Sequence, residues 1–472
     1  MLNISKKQLY YLLAFFLILA FLSYCNRYPT GDDAWFAEQS YWLEKEGVIR
    51  SEFFRGLLQW EKQILVSHKL FLLFGSGMIH LFGYQLPVLQ FTGFICFCVL
   101  VGQLIYYVAK REQQLNSWYL PALLVLVFAN RLLMKMSFEN RPEMMLAALG
   151  FGSFLLLQLE KKTVFRIVIA AFLAGLAFLS HLNGVIYLIA GFVVLIYNRE
   201  YKYAGTFALA GGLTSLVYFL DVFQRDNGLL FWYHQFRNDP ATQNSFGFLP
   251  KFIQLITYPR LFFQSPEQIA LSLLLVFLLW HQRKSLRQLP VYLRVYSVTL
   301  FLSFWLITKA NGGLYLVLFI PFMLALVYEL YKIIPFKNLS LKLVIATYLI
   351  IGAYGMCQII YTNFTMEYLP VSYHKLKSVI GNKQKGFVPL TFFFNEYEAY
   401  PKLLTHENYK LQSKKKNMST IKMAHWAYKN GVDFILMDYK FRPEPYYPKA
   451  GTRNIPFYKL FSFDGRFAIY KR

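Results

Sequence analysis

Charge is what this 472-residue sequence has least of: Asp, Glu, Lys and Arg make up 16% of it, where soluble globular domains carry about 25%. That deficit excludes an ordinary soluble enzyme. Cysteine is scarce as well, with four in the chain. Cys96, Cys98 and Cys357 fall inside apolar runs and read as small hydrophobes. Their spacing offers neither a disulfide framework nor a metal pattern. Cys25 stands after the first apolar segment, where a lipoprotein cysteine would stand, but Tyr24 fills the place that needs a small residue. With no small-residue cleavage site, that segment reads as a retained helix and not a signal peptide. Solenoid repeats and low-complexity tracts are also missing.

Apolar and aromatic residues fill the space left by charge. Hydrophobic residues reach 56% and aromatics 19%, with 47 Phe and 35 Tyr. Such a composition suits bilayer-facing surfaces and interfacial belts. The net charge of +24 raises nucleic acid as a partner. Much of it, however, sits in short loops between apolar runs, where it sets orientation. Membrane phospholipid and phosphate-bearing substrates are the better acidic partners, and no nucleic acid is expected.

About 20 apolar residues cross a bilayer core. The runs that qualify are 8–24, 86–108, 117–133, 143–159, 164–180, 184–198, 203–222, 267–282, 293–308, 313–331 and 342–360. The break at His181-Leu182-Asn183-Gly184 makes 164–198 a tight hairpin of two spans. Lys6 and Lys7 place the N-terminus in the cytoplasm. Alternating from there, the inner loops carry Lys110-Arg111, Lys161-Lys162 with Arg166, Arg199 with Lys202, Arg283-Lys284 with Arg287, and Lys332 with Lys337. The short outer turns carry only Lys309 and His181. The expectation is a polytopic α-helical membrane protein of about eleven spans. It would lie in a bacterial inner (plasma) membrane, with residues 1–360 forming the membrane domain.

Three segments then fall outside: 25–85, 223–266 and the tail 361–472. The first holds two amphipathic, interfacial stretches, 34–46 and 53–66, then an apolar run, 70–83, read as a helix at or dipping into the outer surface. The tail turns polar, with Lys414-Lys415-Lys416, and reads as a small extracytoplasmic α/β domain. Thr391–Phe394 and Asp433–Asp438 read as buried strands, Ser419–Lys429 as an amphipathic helix stopped by Asn430-Gly431. Tyr458–Phe463 and Arg466–Tyr470, joined by Asp464-Gly465, read as a hairpin.

Chemistry concentrates at the outer ends of the spans. Asp32 and Asp33 follow the first helix in Thr30-Gly31-Asp32-Asp33-Ala34-Trp35. Adjacent carboxylates near an interface are costly to desolvate and repel each other, and one could strip a proton from an acceptor. The same pair could equally cap the helix that follows. Glu139-Asn140-Arg141-Pro142-Glu143 ends the third span. Helix capping explains Pro142 and Glu143. It leaves Glu139 and Arg141 for another role, and an arginine there could grip a phosphate by two prongs. His181, Lys309, Asn311 and Tyr315 stand at other outer ends, and His68, Lys69 and Arg55 in the first outer segment. Each alone reads as an interfacial anchor; together they offer the groups a phosphate leaving group requires. Trp232, Tyr233, His234, Phe236, Arg237, Tyr258 and Arg260 mix aromatics with cations in loop 223–266. They either stack on a sugar and follow a lipid-phosphate headgroup or form a belt.

This order of features comprises a first span, an acidic pair, interfacial helices, Phe82-Gly83-Tyr84 leading into the second span, and an Arg-Pro-acid motif closing the third. It resembles the GT-C glycosyltransferases, in the branch of protein O-mannosyltransferases and lipid A aminoarabinose transferases. The resemblance covers roughly residues 1–330. It implies an inverting transfer from a polyprenyl-phosphate sugar to a lipid, glycan or protein acceptor, with Asp32 as base and Asp33 its neighbour. Asp33 stands where the family has Glu, and Glu143 where the Arg-Pro motif has Asp. Ser67-His68-Lys69 replaces a proline-rich stretch. A divalent cation is compatible with the reaction, but no ligand cluster calls for one. A transporter or flippase would place its ionisable groups near mid-bilayer, whereas here they crowd the outer ends. A membrane anchor would need far fewer spans. A ligase or polymerase for lipid-linked saccharides is the nearer rival.

Overall fold

The computed structural model describes residues 5–113, 117–240, 242–309, 311–333, 339–366, 368–381, 384–396, 398–400, 402–413 and 418–472. Lys337 and Lys414–Lys416, singled out above, lie outside them. The chain divides into two compact units. The first comprises Met1–Cys25, Ser67–Phe74 and Gln90–Tyr361; the second comprises Asn26–Val66, Gly75–Leu89 and Thr362–Arg472.

The first unit is helical. Lys6–Tyr24, Leu86–Glu112, Tyr201–Phe223 and a helix beginning at Leu339 are long and apolar enough to cross a bilayer. Shorter apolar helices carry other expected runs: Glu143–Leu157, Val164–Ser180, Leu182–Tyr197, Pro266–His281 and Val291–Ile307. The expected hairpin is present as a 3-10 turn, Leu182–Gly184. A Cβ on Gly184 would meet the Ala177 backbone at 2.3 Å, so only glycine lets the two helices close this tightly. The third run differs from its expected single helix. It breaks at Asn130 into Tyr119–Phe128 and Arg131–Met136. The Asn130 side chain accepts from the Leu133 amide at 3.0 Å, and the Tyr348 hydroxyl donates to the Leu126 carbonyl at 2.7 Å. Backbone groups freed by the break are thereby satisfied inside the protein, as an apolar solvent demands.

At the other ends of these helices, the loop cations are tied to acids. Lys332 pairs with Glu112 at 2.6 Å, Arg111 with Glu329 at 3.3 Å, and Lys162 with Glu200 at 2.5 Å.

The second unit is α/β. Its six-stranded sheet comprises β1 (Gly386–Val388), β2 (Leu404–Thr405), β3 (Phe434–Asp438), β4 (Asn454–Ile455), β5 (Tyr458–Phe463) and β6 (Phe467–Lys471), in the order β2-β1-β3-β6-β5-β4. β2, β1 and β3 run parallel; β3, β6, β5 and β4 pair antiparallel. The terminal hairpin and the helix Thr420–Lys429, capped by Ser419, fall where the turn and capping residues put them. Thr391–Phe394 is a correction. It lies in a helix, Leu390–Glu396, with all four residues buried. A short, wholly buried apolar run carries no period to tell strand from helix, and here Pro389 opens a helical turn by accepting from the Phe393 amide at 3.1 Å.

Asn26–Val66 and Gly75–Leu89, after the first helix, also belong to this unit. Gly31–Glu46 is a helix ending at Gly47 in the left-handed conformation. The stretch 53–66 is turns, not the expected interfacial helix, because Gly56, Leu58 and Gln59 all take positive φ. Those turns are pinned from two sides. The buried Glu38 carboxylate accepts from Ser51 Oγ at 2.8 Å, the Phe53 amide at 3.1 Å and Trp42 Nε1 at 3.1 Å. Thr405 Oγ1 donates to the Phe53 carbonyl at 3.1 Å, and Asn408 to the Arg55 carbonyl at 3.0 Å.

His406 lies at the centre of this unit. Its Nε2 donates to the Leu436 carbonyl at 3.2 Å, leaving Nδ1 to accept from the Tyr446 hydroxyl at 3.1 Å. Burial holds its pKa down at about 3, from the ordinary 6.5. The sign follows from linkage: a depressed folded value means full stability above pH 6.5 and progressive loss as pH falls toward 3. Each pH unit in that window costs roughly 1.4 kcal/mol. Amide exchange of Phe434–Asp438 in the full chain should accelerate between pH 6.5 and 4.5, and His406→Gln should flatten that dependence. An unchanged slope in the variant would assign the acid sensitivity elsewhere.

Candidate active site

In the second unit, the acidic pair opens the Gly31–Glu46 helix. Thr30 is the N-cap: its Oγ1 accepts from the Asp33 amide at 3.3 Å, while Asp33 Oδ2 accepts from the Thr30 amide at 2.8 Å and hydroxyl at 2.9 Å. That is a capping box, and Asp33 is fully buried in it. Asp32, partly exposed in the same first turn, is not the capping partner. Of the two readings of the pair, capping falls to Asp33.

In the first unit, five of the expected site residues meet. The Arg141 guanidinium grips Glu143 by two prongs, Nε to Oε2 at 3.2 Å and Nη2 to Oε1 at 2.6 Å. Glu143 begins the helix Glu143–Leu157 after Pro142, and its side chain is 2% exposed. The fork assigned above to a phosphate is therefore engaged by a carboxylate two residues on. His181 stacks on His68 with ring centroids 4.6 Å apart and meets the Tyr315 ring edge-on at 5.8 Å. The Arg141 and Glu143 charges act on His181 and Tyr315 alike.

The histidines are neutral in this setting. Burial pushes His68 down to about 3, reinforced by His181 and opposed by Glu143. Burial pushes His181 down to about 4, opposed by Glu143 and reinforced by Arg141. His181 Nδ1 accepts from the Asn183 amide at 3.0 Å, which leaves the ring proton on Nε2. The site thus holds hydrogen-bond donors, one buried ion pair and no net histidine charge.

Lys309 supplies a cation. Its ammonium sits 3.0 Å from the centroid of Phe236 and 4.6 Å from that of Phe246, and donates to the Phe236 carbonyl at 3.2 Å. Burial lowers its pKa to about 8, opposed by Asp239 and reinforced by Arg237. Asp239 acts on Tyr315 as well, so the Lys309 box borders the cluster. Asp239 and Phe246 were not among the residues marked from sequence. Phe236 and Arg237 were, and Asp239 ends the Gly228–Asn238 helix that carries them.

Other expected residues are placed differently. Lys69 is ion-paired with Asp221 and donates to the Tyr218 carbonyl at 2.5 Å, which fastens the chain beside His68. Buried Glu139 pairs with Lys135 at 3.8 Å, and its carbonyl accepts from the Arg141 amide at 2.9 Å. A Cβ on Gly93 would come within 2.8 Å of that carbonyl, so the Leu86–Glu112 helix presses on the turn that presents Arg141. Arg131 lies 3.5 Å from Glu267. Arg260 is exposed on the 3-10 turn Tyr258–Leu261. Among the described residues, no group of three or more His, Cys, Asp or Glu could hold a metal ion.

Neither a family model nor a curated protein matches the sequence. Solved structures match the fold over nearly its whole length. ArnT from Cupriavidus metallidurans bound to undecaprenyl phosphate superposes with a TM-score of 0.62 at 13% identity, over 99% of this chain and 98% of that one. The apo state of the same protein gives 0.60 at 13% identity, over 97% and 96%. The archaeal oligosaccharyltransferase AglB from Archaeoglobus fulgidus, in complex with an inhibitory peptide and a dolichol-phosphate, gives 0.50 at 14% identity, over 91% of this chain and 69% of that one. The chain has the GT-C fold, apolar helices followed by a C-terminal mixed sheet, as the sequence led us to expect.

Proposed function

We propose that this chain is a membrane glycosyltransferase that moves a sugar from a polyprenyl-phosphate carrier to a lipid, glycan or protein acceptor on the outer face. The observation that carries the reading is the convergence of His68, Arg141, Glu143, His181 and Tyr315, bordered by Lys309. The proposal also takes the N-terminus as cytoplasmic and residues 361–472 as an external domain. The GT-C fold, shared with an enzyme bound to undecaprenyl phosphate, supports the donor class.

The roles follow from the chemistry. The Arg141–Glu143 pair is balanced in charge, so a phosphate dianion would draw on Lys309 and on the Nε2–H of His181 and the hydroxyl of Tyr315. Arg141, clamped by Glu143, holds a fixed positive field toward that group. Asp32 takes the proton of the acceptor, whose oxygen or nitrogen attacks the anomeric carbon. The carbon–oxygen bond to phosphate breaks with its electron pair on the phosphate, and the anomeric configuration inverts. Phosphate held by such donors leaves without a separate acid.

The test is a transfer assay on the full chain in lipid nanodiscs with radiolabelled polyprenyl-phosphate sugar and cell-envelope acceptors. The expected result is labelled acceptor of inverted configuration and free polyprenyl phosphate. In sealed vesicles, movement of intact donor between leaflets without any transfer product would overturn the reading in favour of a flippase.

A further inference from the structure

In the first unit, the helix Phe248–Ile256 is built inside out. Phe248, Leu249, Phe252, Ile253 and Ile256 follow the i, i+1, i+4, i+5, i+8 spacing of a single helix face. That face is bare: Phe248 is 88% exposed and none of the five is below 50%. The covered side chains are the polar ones, Gln254 buried and Lys251 half-buried. A helix facing water has the reverse order, with its apolar stripe on the core and its polar side in solvent.

The polar side fastens this helix to the end of another. Lys251 Nζ donates to the Thr308 carbonyl at 2.8 Å, and Thr308 is the C-cap of the apolar helix Val291–Ile307. Carbonyls in a helix's last turn have no partner within the helix, and two of them are taken up from the same neighbour. Asn311 Nδ2 donates to the Gln254 carbonyl at 2.7 Å, and Trp305 Nε1 to the Leu255 carbonyl at 2.9 Å. Just beyond, the Tyr258 hydroxyl donates to the Phe301 carbonyl at 2.9 Å.

These bonds point to what covers the stripe. They set the helix where an apolar helix of a membrane protein ends, which is the level of the bilayer interface. Two of the donors are Trp305 and Tyr258, residue types that favour that depth. The segment they tie it to exposes Leu302, Leu306 and Ile307, a surface for hydrocarbon and not for water. The stripe runs the whole length of the helix, so the helix presents its side to the bilayer and not its tip.

We propose that Phe248–Ile256 is an interfacial helix whose apolar stripe is seated in the leaflet on the Lys309 side, and that the bilayer thereby holds Thr308 and Asn311, the residues flanking Lys309. The partner is a lipid surface, bound through apolar area. The inference is independent of the transfer chemistry.

Photocrosslinking of the full chain in phosphatidylethanolamine–phosphatidylglycerol liposomes tests the seat. p-Benzoylphenylalanine in place of Phe252 should cross-link to phospholipid, and the same probe in place of Leu249 repeats the test if the first variant does not fold. Cross-links to a second copy of the chain, or none to lipid from either position, would overturn the proposal. The hold on the Lys309 segment is read by amide hydrogen exchange in the same liposomes. Phe252→Asp with Ile256→Asp should speed exchange over Asn311–Tyr315 about tenfold as the helix leaves the bilayer, and Phe252→Leu should leave it unchanged. Phe252→Asp alone serves if the double variant does not fold. Exchange at the wild-type rate in the aspartate variants would show that the bilayer does not hold this segment.

Discussion

Asp32→Asn should lower the rate of sugar transfer by roughly 10²–10⁴-fold, the contribution of a positioned general base, while leaving the melting temperature near that of the wild type. The two neighbouring carboxylates separate the roles. Asp33 spends its side chain on the Thr30 amide and hydroxyl, so Asp33→Ala should appear chiefly as a loss of about 1 kcal/mol in stability. Asp32 is partly exposed and sits outside the capping box, and Asn keeps its size, so the substitution should cost little packing. The measurement is single-turnover transfer with saturating polyprenyl-phosphate sugar, beside thermal unfolding of each variant. A fully active Asp32→Asn enzyme would remove Asp32 from the mechanism, and a loss confined to Asp33→Ala at unchanged stability would exchange their roles.

Spans were legible in the sequence because the bilayer imposes one demand, a long apolar run, on every crossing segment. The His181–Gly184 hairpin was legible for a local reason: no other residue fits where Gly184 meets Ala177. Legibility failed where tertiary contacts decide. Nothing in 53–66 announces the positive φ of Leu58 and Gln59, because Glu38, Thr405 and Asn408 fix those turns from elsewhere in the second unit. Thr391–Phe394 is buried all round and so shows no period.

The candidate site divides in the same way. His68, His181, Arg141 and Tyr315 could be marked because polar groups, costly inside a span, stand out where they gather at the ends of apolar runs. How they pair could not. Glu143 looked like a capping acid, and its bidentate contact with Arg141 depends on how Pro142 turns the chain between them. The ring of Phe236 over Lys309 and the charge of Asp239 beside it come from a loop whose aromatics were equally readable as a belt.

The buried Arg141–Glu143 pair yields the second large effect. Arg141→Met leaves the Glu143 carboxylate at a site 2% exposed without its cation, which should destabilise the chain by about 3–5 kcal/mol. That variant alone cannot distinguish catalysis from folding. Replacing both partners, Arg141→Met with Glu143→Leu, removes the stranded charge, and apolar replacement of a buried pair is often neutral or stabilising. The double variant should therefore regain a melting temperature close to that of the wild type. Transfer should not return with it, because the fixed charge beside His181 and Tyr315 is gone; a drop of about 10²-fold is the scale of a misplaced reacting group. Measuring kcat and KM for the donor separately sharpens the result: loss of phosphate alignment lowers kcat, whereas loss of donor affinity alone raises KM. If the double variant folds and transfers sugar at the wild-type rate, the pair serves packing only, and the donor phosphate is held by His181, Tyr315 and Lys309 without it.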